Sequence, residues 1–144
     1  MTGRVLAIDP GERRVGLAVS DPLGITAQGL DTFDRRGGDL IAHIEVIARE
    51  YEITLIVVGN PVSMSGRESE GSALARALAG ALHARLSLPV ELWDERLSSA
   101  EAHRVLKGSR VDKGTVDRVA AVIILQGYLD AHSSRGDHGD ERDE

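Results

Sequence analysis

The chain contains no cysteine. That absence excludes disulfides, thiolate nucleophiles and cysteine-based zinc or iron sites. No run of about 18 apolar residues occurs, so no membrane-spanning helix is expected. Residues 1–9 pass straight into a strand-like stretch without the apolar region and cleavage site of a secretory signal, and a cytoplasmic location is expected. The five histidines, at 43, 83, 103, 132 and 138, show no ligand spacing and read as surface residues. Lysine is scarce, at two against fifteen arginines, and no internal repeat or domain boundary is visible.

What is present is ordinary in bulk and uneven in distribution. Hydrophobic residues make up 42% of 144 residues, enough for one domain with a real core. The net charge of −6 argues against indiscriminate nucleic-acid binding. Residues 135–144, "RGDHGDERDE", hold two basic and five acidic residues and nothing apolar, so they read as a disordered acidic tail on a domain spanning 1–134. Residues 96–118 have the opposite balance, with Arg96, Arg104, Lys107, Arg110, Lys113 and Arg118 against Glu101, Asp112 and Asp117.

Residues 4–9, 15–20 and 25–33 read as three strands joined by Gly- and Pro-containing turns, an antiparallel meander. A helix opens at Asp39, with Leu40, Ile41, Ile44, Ile47, Ala48 and Tyr51 on one stripe. "ITLIVVGN" (53–60) is a buried strand, and the small polar stretch 61–72 reads as a flexible loop. A second helix carries Leu74, Ala77, Leu78, Ala81, Leu82 and Leu86, followed by a strand at 89–95. "SSAE" (98–101) has the form of a capping box opening a helix to about Leu106. The last helix runs from about Thr115 to about Ala131. Its stretch "VAAVIILQ" (119–126) is apolar on every side before Gln126, which means burial in the centre of the fold or in a subunit interface and leaves a homodimer open. The order βββαβαβα predicts an α/β fold whose mixed five-stranded sheet has three antiparallel then parallel strands, flanked by helices. That arrangement is compatible with an RNase H-like fold.

Three acids stand where such a fold can bring them together. Asp9 closes the apolar run "VLAI" and opens Asp-Pro-Gly; it is either a turn former or a carboxylate held at the end of a buried strand. Glu95 ends the strand "VELWDE", and Asp117 falls in the first turn of the last helix; singly they read as a surface acid and a helix-dipole partner. Two strand ends and a helix start facing one cleft make a metal site instead. Hard oxygen ligands suit Mg²⁺ or Mn²⁺, and two such ions can serve the attacking and leaving oxygens of a phosphodiester.

"AIDPGERRVGLAVSD", "VVGNPVSMSGRESEGSALARALAGAL", "WDERLSSAEAHRVL" and "VDRVAAVIILQGYLD" resemble successive motifs of the YqgF/RuvX family over residues 4–131. The resemblance implies an RNase H-like nuclease related to Holliday-junction resolvases, acting on pre-16S rRNA in ribosome biogenesis, with Asp9, Glu95 and Asp117 as catalytic metal ligands. It implies a nucleic-acid partner, with Arg96, Lys113 and Arg118 as candidate phosphate contacts. Asn60 and "MSGRESEG" depart from the family's pattern, and Ala120 stands where resolvase relatives carry a further acid. The alternatives are a Holliday-junction resolvase-like DNA nuclease, and a nucleic-acid-binding transcription or ribosome-associated factor with little catalysis. An actin-like ATP-dependent kinase ranks last, because the chain holds no second copy of the "DPGERRVG" loop.

Overall fold

The computed structural model describes residues 3–61, 70–97 and 113–143, with side chains of the last helix described as far as His132. β1 (Arg4–Asp9) and β2 (Arg14–Ser20) form an antiparallel hairpin, with Asp9 opposite Gly16. β3 (Ala27–Gly29) and β4 (Phe33–Asp34) both pair antiparallel with β2. β5 (Ile53–Asn60) lies parallel to β1, and β6 (Val90–Asp94) lies parallel to β5. The sheet runs β3-β2-β1-β5-β6, with β4 set off this path. The expected five-strand order is therefore present, with one strand divided.

That division goes with a long-range contact. The stretch 25–33 was expected as one strand, but pairing lapses between Gly29 and Phe33. There the Thr32 hydroxyl donates to the Gly114 carbonyl at 2.6 Å, tying the break to the start of the last helix. Both β3 and β4 remain on β2 as a result.

Among the described residues, three α-helices cover the sheet. α1 (Leu40–Glu50) is capped by Asp39, whose carboxylate accepts from the Ile41 amide at 3.1 Å. α2 (Glu70–Leu86) begins earlier than the sequence suggested, inside the expected loop 61–72. Buried Ser72 explains part of this: its hydroxyl donates to Asn60 Oδ1 at 2.7 Å and fastens the first turn of α2 to the end of β5. The departure at Asn60 thus has a structural role. Residues 62–69, and the helix expected over 98–106, lie outside the described residues.

α3 (Lys113–Asp143) starts two residues before Thr115 and continues beyond Ala131. Ala121, Ile124, Leu125, Tyr128 and Leu129 are buried against the sheet, so this side of the apolar stretch lies in the centre of the fold.

Strand alternation divides the core in two. Leu6, Ile8, Val15, Leu17, Val19, Ile56 and Val58 meet α1 and α2. Ala7, Ala18 and Val57 meet α3 instead. Among the described residues no helix is long and apolar enough to cross a membrane.

Candidate active site

The site begins with the small residues under α3. Gly16 follows the parity of Ala18 and faces the helix, and any side chain there would overlap the Asp117 carbonyl oxygen. Glycine at 16 therefore lets the α3 backbone settle directly on β2, opposite Asp9 in the hairpin register. Gly59 on β5 leaves room for side chains instead. A Cβ at Gly59 would stand 2.7 Å from Ile124 Cδ1 and 2.9 Å from Glu95 Oε2. The register that pairs Ile8 with Val58 runs on toward Asp9 and Gly59. Asp9 shares the parity of Ala7, so all three acids are attached at one end of the sheet on its α3 side.

Two of the three sit slightly differently from expectation. β6 ends at Asp94, and Glu95 opens a short 3-10 turn, Glu95–Leu97, that turns the chain back over β5. α3 starts at Lys113, which places Asp117 beyond the first turn, where no acidic residue occurs. The helix-dipole reading of Asp117 loses its basis, since that interaction falls off within the first turn. Instead Asp117 pairs with Arg14 of β2: Arg14 Nε donates to Asp117 Oδ2 at 3.1 Å, with the side chains 29% and 25% exposed. Among the described residues no three acidic or histidine side chains stand close enough together to hold a metal ion.

The basic candidates divide as well. Arg96 folds onto Asp94, its Nε donating to both carboxylate oxygens at 3.1 Å and its Nη2 to Oδ2 at 2.7 Å. Its side-chain and backbone bonds hold the Asp94 carboxyl below the ordinary carboxylate range, and Asp94 raises the guanidinium in turn. Arg118 lies across Gly29 and reaches Asp31 at 3.4 Å, while its buried Nε has no hydrogen-bond partner among the described residues. The side chain of Lys113 is outside the described residues.

Sequence reasoning missed Arg14, whose partner is 103 residues away. The "GERR" turn marked a charged stretch without saying which arginine faced α3. It also missed an aromatic group beside Glu95. Trp93 meets Tyr128 edge-on at 5.3 Å between centroids, and Tyr128 stacks on His132 at 3.9 Å. The helical spacing of 128 and 132 was the available signal.

A mixed sheet of this strand order, with carboxylates at one end beneath a long helix, defines the RNase H-like class. A solved structure described as Thermus thermophilus RuvC in complex with a Holliday junction substrate superposes with a TM-score of 0.58. It is 17% identical and covers 91% of this chain and 96% of its own, a likeness of fold. A free form of Thermus thermophilus RuvC gives a TM-score of 0.59 at 15% identity, again covering 91% and 96%.

The family model described as "RuvX: Holliday junction resolvase" matches residues 3–131. A protein of Koribacter versatilis named "Putative pre-16S rRNA nuclease" is 48% identical over 133 residues, covering 89% of this chain and 87% of its own. One of the same name from Anaeromyxobacter dehalogenans is 47% identical over 132 residues, covering 88% and 96%. The chain belongs to the RuvX family. Family and relatives make it a nuclease, a hydrolase acting on phosphodiester bonds.

Proposed function

We propose that this chain is a metal-dependent endonuclease that processes the 5′ end of pre-16S rRNA, with Asp9, Glu95 and Asp117 as its metal ligands. One observation supports the reading: the Asp117 backbone packs against Gly16, opposite Asp9, and the Glu95 side chain packs against Gly59. The donor chemistry suits the ion. All three groups are carboxylates, hard oxygen ligands of the kind that hold Mg²⁺ or Mn²⁺, and the chain lacks the thiolates that softer metals prefer.

A bound divalent ion supplies positive charge for an anionic phosphodiester and for the oxygen that leaves it. The chain's own residues do the rest. Asp9 is carried at the end of β1, and Glu95 on the short turn that directly follows β6. Asp117 is carried on α3, and its carboxylate has to leave Arg14 to join them. Arg96, Lys113 and Arg118 are the proposed phosphate contacts, and a cytoplasmic location is proposed with them.

The test offers a labelled pre-16S rRNA 5′ fragment and a four-way DNA junction to the same preparation with Mg²⁺ or Mn²⁺. Cleavage of the RNA that is lost in Asp9→Asn is expected. Cleavage of the junction alone would move the assignment to a resolvase-like DNA nuclease, the activity in the family's description. Binding without cleavage, with normal complementation by Asp9→Asn, would make the chain a ribosome-associated or transcription factor.

A further inference from the structure

The geometry points to Arg14 as a displaceable counter-ion, which holds Asp117 in the absence of a divalent cation and passes to a substrate phosphate when the cation is bound. The inference rests on the metal-site reading above and goes beyond it by assigning a residue to the exchange.

Arg14 sits on the α3 side of β2, two residues before Gly16, and its Nε lies 3.1 Å from Asp117 Oδ2. Neighbouring Arg13 is engaged elsewhere, 3.6 Å from Asp34, so it does not duplicate the contact. With about a quarter of each side chain exposed, Asp117 is partly withdrawn from water and needs a compensating charge. Arg14 supplies it. A divalent ion coordinated by the same carboxylate would meet that guanidinium within a few ångströms, in a region less screened than bulk water. Ion and guanidinium therefore compete for Asp117.

The displaced group cannot go far, because its backbone is fixed in β2, paired with Asp34 and two residues from Gly16. It remains at the edge of the site, where the anion arriving with substrate is a phosphate. A planar guanidinium binds carboxylate and phosphate through the same fork geometry, so the transfer exchanges one oxyanion for another.

The experiment titrates Mn²⁺ into wild type, Arg14→Gln, Arg14→Lys and Asp9→Asn by calorimetry, and melts each protein with and without saturating Mn²⁺. Arg14→Gln should bind Mn²⁺ about threefold or more tightly than wild type, because a competing charge is gone. Arg14→Lys, which keeps the charge, should bind as wild type does. Without the ion Arg14→Gln should melt below wild type, and saturating Mn²⁺ should close most of that gap. Unchanged or weaker Mn²⁺ binding by Arg14→Gln would overturn the proposal. So would equal tightening by Gln and Lys, or a melting deficit that Mn²⁺ leaves intact. Asp9→Asn separates the two levels. If it binds Mn²⁺ as wild type does, the ion is not at this site and the metal reading falls together with the inference. If it loses binding while Arg14→Gln shows no tightening, the inference alone falls.

Discussion

The two faces of the sheet are built from the same strands and to different ends. Toward α1 and α2, the strands present Leu6, Ile8, Val15, Leu17, Ile56 and Val58. Toward α3, they present Ala7, Gly16, Ala18, Val57 and Gly59, with the larger Val5, Leu55 and Trp93 partly buried on the same face. Bulky side chains on the first face fill the space between sheet and helices and hold them apart. Small ones on the second let a helix backbone touch a strand. The comparison teaches that packing volume is given up on the α3 side, where the proposed site residues stand and the helix closes in.

The comparison breaks most visibly if the two faces respond alike to substitution. Ile56→Ala on the α1–α2 face removes a fully buried side chain and should cost about 2–5 kcal/mol of stability. Cleavage per folded molecule should be retained, checked by denaturant melts and by rates at a temperature where the variant is folded. Gly59→Ala on the α3 face should reverse the pattern. Its new Cβ meets the ends of two flexible side chains, Ile124 and Glu95, so the fold yields while the Glu95 carboxylate is pushed aside. A loss of about a hundredfold in cleavage, with a small change in melting temperature, is expected. Equal loss of activity from both variants would erase the distinction between the faces.

A smaller effect sharpens the first face. Asp39→Ala removes the carboxylate that accepts from the Ile41 amide at the start of α1, and should cost about 1 kcal/mol in chemical melts. Activity should be unchanged, since α1 has no part in the site.

Much of the fold was legible in the sequence, and for a definite reason. Unbroken apolar runs such as "VLAI" and "ITLIVV" announce buried central strands. Asp9 was legible as a strand end, whereas Glu95 lies one residue past β6 and Asp117 beyond the first turn of α3. The split of the third strand was not legible, because it depends on Thr32 bonding to Gly114, 82 residues away. The early start of α2 likewise depends on Ser72 finding Asn60. Gly16 and Gly59 looked like ordinary strand glycines until α3 lay across them. In each case the missing information is a contact between distant residues, which local periodicity does not encode.

The smallest expected effect concerns the end of β6. Hydrogen bonds from Arg96 hold the Asp94 carboxyl below its ordinary range. A carboxyl lowered in the folded state adds stability above its unfolded value of about 3.9, and that stability is lost as pH falls through the folded value. Wild type and Asp94→Asn should therefore differ in melting temperature at pH 7 by a small margin that closes under acid, as a pair worth at most about 1 kcal/mol would give. A difference that persists well below pH 3 would assign the effect of Asp94 to packing around the turn instead.

The central claim is that the acids on the α3 face form one catalytic site with a divalent ion. Its most direct test is Mg²⁺-dependent cleavage of a labelled pre-16S rRNA 5′ fragment by wild type and Asp9→Asn at matched thermal stability. Asparagine preserves the shape of the side chain and suits the first position of the Asp-Pro-Gly turn, but it removes the charge and one hard oxygen donor. The account predicts cleavage by wild type and a loss of about a hundredfold or more in the variant, with folding retained. Near-equal rates would contradict it and return Asp9 to the turn.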